Sequence, residues 1–148
     1  MDLGKATAAA IGRGLQAGAL DAVEVSEFFL ERIAAYPDPA VFTTVTPARA
    51  REEAKAAATR LKQGKSRGPL DGVPIAWKDL FDMVGTVTTS GSALHRHDPV
   101  ATDDAAAVAH GAAAGLVALG KVNLPEFAFS GLGLNPHFGT PINPHDAK

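Results

Sequence analysis

The sequence predicts an α/β fold, because helical patterns alternate along it with short apolar runs. Two helix patterns, over residues 3–17 and 22–36, precede a β-branched run at 41–45. A third helix pattern, rich in charge, follows. After it comes an apolar run at 73–77, which is preceded by glycine and proline. Alternation of this kind is typical of helices that cover the faces of a sheet.

The second helix has both a start signal and a stop signal. Asp21 is placed to cap its first turn, and the prolines at 37 and 39 end it. Apolar side chains recur at helical spacing along it: Val25, Phe28, Phe29, Ile33 and Tyr36.

The third helix is also bounded by recognisable residues. Thr46 and Pro47 are residue types favoured at an N-cap and at the first helical position, and Gly64 is the stop. The intervening residues combine strong helix formers with alternating charge, so we expect one continuous helix.

The second half of the chain predicts further short elements. A strand is expected to end at Lys78, and a second strand within 81–89 is interrupted by Gly85. An alanine-rich helix is expected to start at Thr102-Asp103-Asp104, with its acids at the positive end of the helix dipole, and to end near Gly115. A strand at 116–119, a helical turn at 124–129 and a loop over 130–146 complete the prediction.

Three or four short strands make a thin sheet whose two faces both need cover. The chain then stops within a loop, so the sequence predicts an incomplete α/β domain rather than a closed one. With 148 residues and no linker or internal repeat, we expect a single domain.

Composition excludes several functional classes. A net charge of −2 gives no reason to expect nucleic-acid binding or attraction to an anionic membrane. Without cysteine there is no disulfide, thiol nucleophile or zinc–thiolate site. No apolar run approaches the ~20 residues of a membrane span, and the N-terminus lacks a signal-peptide core. We therefore expect a cytoplasmic location.

Lys78 is the first candidate for chemistry. It follows an apolar strand, where we expect its ammonium to be partly desolvated, although such a lysine also commonly extends into water. An ordinary lysine, with a pKa near 10.4, is neutral in only about one molecule in 2,500 at pH 7. A lysine that acts as a base therefore needs surroundings that disfavour its charged form, and Val73, Ile75 and Trp77 are compatible with this.

Three separated motifs give the chain a family resemblance. Residues 68–82 read GPLDGVPIAWKDLFD, residues 88–92 read TTSGS, and residues 118–144 read ALGKVNLPEFAFSGLGLNPHFGTPINP. In this order they resemble the first part of the catalytic core of the amidase signature family. The resemblance implies a partial amidase signature domain over 1–148, with an N-terminal helical region at 1–67 and the start of the core at 68–148.

The resemblance implies an α/β/α sandwich around a mixed β-sheet and hydrolysis of a small-molecule amide by a Ser-Ser-Lys triad. Lys78 matches the catalytic lysine, and Ala128, Phe129 and Ser130 match positions that line the substrate cleft. It implies no metal and no cofactor, and a homodimer as one arrangement of the complete enzyme.

Ser90, Ser92 and Ser130 do not match the nucleophile motif of the family, which lies in a Gly/Ser-rich segment absent from this sequence. We therefore expect these 148 residues alone to be inactive.

Two alternative functions follow from the same sequence. One is the A subunit of a tRNA-dependent amidotransferase, a member of the same family, although the SGLGLNP stretch at 130–136 is more similar to the stand-alone amidases. The other is a non-catalytic remnant, which would expose the apolar surface that the rest of the sheet would cover.

Two further motifs are weak. Residues 115–122 nearly match a phosphate-binding loop, but Val122 replaces the hydroxyl that would hold Mg²⁺. His95 and His97 are two residues apart, yet Arg96 and Pro99 favour a solvated loop over a metal site.

Overall fold

The computed structural model describes residues 1–145 and shows a mixed α/β fold. In chain order its helices and strands are α1 (Ala8–Gln16), α2 (Ala22–Ala35), β1 (Phe42–Val45), α3 (Pro47–Lys62), β2 (Pro74–Lys78), α4 (Ala106–Ala113) and β3 (Val117–Val122). Two short 3₁₀ turns lie at Ala93–His95 and Glu126–Ala128. No helix in this part of the chain is long and apolar enough to cross a membrane.

The three strands form one mixed sheet in the order β1-β3-β2. Strand β1 runs antiparallel to β3, with Phe42 opposite Val122 and an irregular register before Thr44. Gly120 of β3 has φ 155°, and a Cβ there would lie 2.3 Å from the carbonyl oxygen of Thr44. Only glycine lets the two backbones approach this closely.

The chain divides into two compact units. The first contains residues 1–35, 46–76 and 109–119, and the second contains 36–45, 77–108 and the residues from 120 onward.

The first unit is built where α2 packs against α3. Buried alanines at positions 50, 54, 57 and 58 follow the spacing of one helix face, and their small side chains allow close packing. The buried apolar residues form two clusters: Ile11, Leu15, Ala22, Val25, Ala57, Ala58 and Val73, and Leu30, Ala50, Ala54, Val117 and Leu119.

A buried ion pair also stabilises the first unit. The guanidinium of Arg60 donates to both carboxylate oxygens of Asp71, with N–O distances of 2.6 and 3.1 Å. The backbone N–H of Arg67 donates to the same carboxylate at 2.9 Å. Asp71 is completely buried, so these bonds replace the water that its charge would otherwise need.

Several predicted elements are confirmed. Helices α2 and α3 match their predicted spans within one residue or two, and the Asp21 carboxylate accepts a hydrogen bond from the N–H of Val23, as expected of an N-cap. Strand β2 ends at Lys78, as predicted. Thr46, however, is not a side-chain cap, because its hydroxyl donates to the carbonyl oxygen of Ala118.

The predicted strand within 81–89 is wrong. Gly85 adopts φ 79° and donates its N–H to the carbonyl oxygen of Ala101, while Thr86 N–H donates to Met83. The bond from Thr86 to Met83 closes a turn, and the positive φ of Gly85 interrupts the extended backbone that a strand requires.

Two predicted helix starts are also wrong. Helix α4 begins at Ala106 because Asp104 accepts from the N–H of Val84 and Ala105 donates to the carbonyl of Asp82. Helix α1 begins at Ala8 rather than at residue 3, because Thr7 caps it by accepting from the N–H of Ala10.

Candidate functional site

Lys78 is the last residue of β2 and its side chain is exposed. Within residues 1–145, its ammonium has no hydrogen-bond or ion-pair partner. The expected partial desolvation is therefore not found, because β2 lies at an edge of the three-stranded sheet and these residues leave the side chain uncovered. The chain turns directly after it, where Leu80 and Phe81 donate their N–H groups to the Lys78 carbonyl.

The residue after Lys78 belongs to a buried ion pair that we did not predict. Asp79 and Lys121 are both completely buried, and their charged atoms lie 2.6 Å apart. The Lys121 ammonium also donates to the Thr88 hydroxyl at 2.7 Å and to the Val87 carbonyl at 3.0 Å. Its three N–H donors thus have three acceptors, which satisfies a charge buried away from water.

Each member of this pair has its own signal in the sequence. Lys121 interrupts an apolar strand, and Asp79 follows another apolar strand. Opposite charges at these positions predict an ion pair only once the two strands are known to be neighbours, because an unpaired buried charge is very costly.

A second group of contacts joins the TTSGS segment to the turn at 126–130. The Ser92 hydroxyl donates to the Glu126 carboxylate at 2.7 Å, and His137 Nε2 lies 3.2 Å from the same oxygen. The N–H of Phe127 donates to the carbonyl of Ser90 at 2.8 Å. The carboxylate lies between the hydroxyl and the imidazole, so this is not a nucleophile–base arrangement, in which the imidazole would face the hydroxyl.

Three non-glycine residues here have left-handed backbone conformations: Ser90, Phe127 and Ala128, with φ of 53°, 52° and 55°. Such conformations cost about 1–3 kcal/mol each and are concentrated at functional sites. The predicted helical turn at 124–129 is therefore only a short 3₁₀ segment with a non-helical residue inside it.

The predicted substrate-lining residues lie on this turn. Phe129 is 96% exposed, Ser130 is exposed and Ala128 is half-buried. The structure connects them to Lys78 through the backbone: Asp79 accepts from Ser90 N–H, and Ser90 in turn accepts from Phe127 N–H. No group of three or more His, Cys, Asp or Glu side chains suited to a metal ion occurs in the described residues.

The Ser92 hydroxyl lowers the pKa of Glu126 below its usual 4.5, and His137 acts in the same direction while partial burial opposes it. A carboxyl with a lowered pKa in the folded state stabilises the fold above pH 4.5 and loses that contribution as the pH falls through the folded value. We therefore expect Glu126→Gln to lose less stability than the wild type between pH 6 and pH 3. Urea midpoints across this range test it, and equal acid sensitivity of the two proteins would contradict it.

Comparison with known proteins identifies the family of this chain. The Amidase family model matches residues 24–148. The chain is 44% identical to the A subunit of the glutamyl-tRNA(Gln) amidotransferase of Azotobacter vinelandii over 144 residues, which cover 96% of this chain and 29% of that protein. It is 45% identical to the putative amidase AmiB2 of Mycobacterium tuberculosis over 144 residues, covering 97% of this chain and 30% of that protein.

The fold is similar to a solved enzyme as well. The native peptide amidase of Stenotrophomonas maltophilia superposes with a TM-score of 0.85 at 29% identity, covering 99% of this chain and 31% of the enzyme. The chain thus spans about 30% of the length of these relatives. Because the family match extends over most of the sequence, the chain belongs to the amidase signature family.

Proposed function

We propose that the complete protein carrying this sequence hydrolyses a small-molecule carboxylic amide to an acid and ammonia or an amine, with Lys78 as its general base. The observation that carries the proposal is the position of Lys78. It ends strand β2, its side chain is left uncovered by these residues, and the next residue is anchored by a buried ion pair. In this proposal the remainder of the complete protein covers Lys78 and supplies the desolvation that a neutral lysine needs. Family membership supports the same activity.

The proposed mechanism is a Ser-Ser-Lys reaction. A serine hydroxyl attacks the amide carbonyl while a bridging serine relays its proton to a neutral Lys78. The proton then returns through that serine to the departing nitrogen, the C–N bond breaks, and ammonia or an amine leaves. Water finally attacks the acyl-enzyme, which releases the acid and restores the serine hydroxyl. In this proposal both serines lie outside residues 1–148. Lys121 is unsuited to the role of base, because its ammonium is buried and all its donors are occupied.

We further propose that Ala128, Phe129 and Ser130 contact the substrate. Exposed Phe129 offers an apolar surface, and the adjacent left-handed residues Phe127 and Ala128 have the backbone strain typical of binding turns. The proposal also includes independence of any cofactor, a cytoplasmic location and, for the complete protein, a homodimer.

A second candidate function is that of the A subunit of a tRNA-dependent amidotransferase. The 44% identity to the Azotobacter vinelandii protein favours it, and the 45% identity to a putative amidase does not separate the two functions. A stand-alone amidase purifies without other chains, whereas an amidotransferase component purifies with its partner subunits.

Ammonia release from a panel of aliphatic and aryl primary amides tests the proposed function. The protein should be isolated from its native source, and its intact mass measured first. We expect a mass several-fold above the 15.2 kDa of this chain, and release of ammonia from at least one amide. A protein of about 15.2 kDa that releases none would favour the non-catalytic remnant.

A further inference from the structure

Within the described part of the chain, the general base proposed above has no side-chain hydrogen bond or ion pair that fixes its place. The Lys78 ammonium is unpaired within residues 1–145, so its position depends on the backbone at the end of β2. A base must lie within hydrogen-bond reach of the proton that it accepts, so the backbone at this point has to be rigid.

Asp79 fixes that backbone from several directions. Its N–H donates to the Val122 carbonyl at 3.0 Å, and its own carbonyl accepts from the N–H of Ser90 at 2.9 Å. Its carboxylate contacts the Lys121 ammonium and accepts a hydrogen bond from the Thr89 hydroxyl. Asp79 is thus held both by strand β3, through its N–H, and by the TTSGS segment, through its carbonyl and its carboxylate.

The contacts of Lys121 hold Asp79 in place and are not suited to binding a ligand. Its ammonium is completely buried, and its three donors go to Asp79, Thr88 and Val87. No donor is left for a substrate. Thr88 and Thr89 are consecutive, so the pair holds both the strand end and the segment that precedes Ser90.

We propose that Asp79, held by its ion pair with Lys121, is a positioning residue for Lys78. This inference rests on the proposed function, since it needs Lys78 to act as the base. Asp79 touches no substrate in this proposal. It sets the direction in which the Lys78 side chain leaves the strand, and the left-handed Ser90 extends the same hydrogen-bonded path to Phe127 on the proposed substrate-binding turn.

The test replaces the buried pair by apolar residues of similar size, in the Asp79→Leu/Lys121→Met double variant. Replacing both partners of a buried pair commonly preserves the fold, whereas removing one leaves an unpaired charge. The matched control is Arg60→Met/Asp71→Leu, which removes the buried pair of the first unit and touches no residue of the proposed site.

Both double variants are made in the native-length protein, and kcat and KM are measured for an amide that the wild type hydrolyses. We expect the Asp79/Lys121 variant to lose about 100-fold in kcat with KM within about twofold, because a displacement of about 1 Å can cost that much. We expect the control to keep kcat within about twofold. A folded Asp79/Lys121 variant with wild-type kcat would overturn the inference.

Thr89→Val provides a second test should the double variant not fold. It removes the hydroxyl that donates to the Asp79 carboxylate and accepts from Gly91 N–H, and it leaves the ion pair in place. We expect kcat to fall several-fold with KM unchanged. Unchanged kcat would overturn the inference.

If Lys78→Ala is inactive while both Asp79-directed variants are fully active, only the positioning role fails. If the wild type releases no ammonia, the proposed function fails and the positioning role fails with it.

Discussion

Lys78→Ala is expected to lower kcat/KM for amide hydrolysis by the native-length protein by about 10³-fold or more. General-base catalysis typically contributes 10²- to 10⁴-fold, and the loss of a group that acts together with a nucleophile falls in the upper part of that range. A 10³-fold loss corresponds to about 4 kcal/mol of transition-state stabilisation. The measurement is steady-state ammonia release.

Lys78→Arg separates the role of a base from the role of a charge. Arginine keeps the positive charge but stays protonated in proteins, so it cannot act as the base. We expect both variants to be inactive and to fold as the wild type does, since the described contacts of Lys78 are those of its backbone. Substantial activity in Lys78→Arg would show that charge alone is needed.

Arg60→Ala is expected to destabilise the protein by about 3–5 kcal/mol, the cost typical of removing one partner from a buried pair. Asp71 is completely buried, and the remaining hydrogen bond from Arg67 N–H does not neutralise its charge. Folding stability from urea denaturation tests this prediction.

Arg51→Ala is a matched control on the same helix. Arg51 also donates to both oxygens of a carboxylate, that of Glu27, but both side chains of this pair are substantially exposed. Water screens such a pair, so we expect a far smaller loss of stability. Equal losses in the two variants would contradict the distinction between buried and exposed pairs.

Much of the fold was predictable because local signals agreed with tertiary packing. Helix α2 has an Asp21 cap and a regular apolar face, and α3 begins with Pro47 and ends just before Gly64. The apolar run before Lys78 gave the end of β2 correctly. In each case the propensity of the segment and its burial favour the same structure.

The wrong predictions arose where side chains bond to distant backbone. Thr46 has the residue type of an N-cap, but its hydroxyl donates to Ala118, which lies 72 residues further along the chain. Asp104 was expected in the first turn of α4, but its carboxylate accepts from Val84 N–H. Propensity describes local competition only, so it gives no information on partners that the fold supplies.

The position of Lys78 at the end of a strand was predictable, whereas the contacts around it were not. Lys78 was marked by the strand that it ends, and the family resemblance gave it a role. The Asp79–Lys121 pair requires knowing that β2 and β3 are neighbours, which the linear sequence does not state. The left-handed conformations at Ser90, Phe127 and Ala128 have no local signal either, because glycine is the residue that normally indicates them.

The most direct test of the central claim is covalent labelling with a serine-directed fluorophosphonate probe, since it needs no knowledge of the substrate. The native-length wild type and Lys78→Ala are labelled in parallel, and intact mass and peptide mapping locate the adduct. We predict one adduct per chain, on a serine outside residues 1–148, with labelling at least about 100-fold slower in Lys78→Ala. An adduct on Ser90, Ser92 or Ser130, equal rates in the two proteins, or no adduct at all would contradict the account.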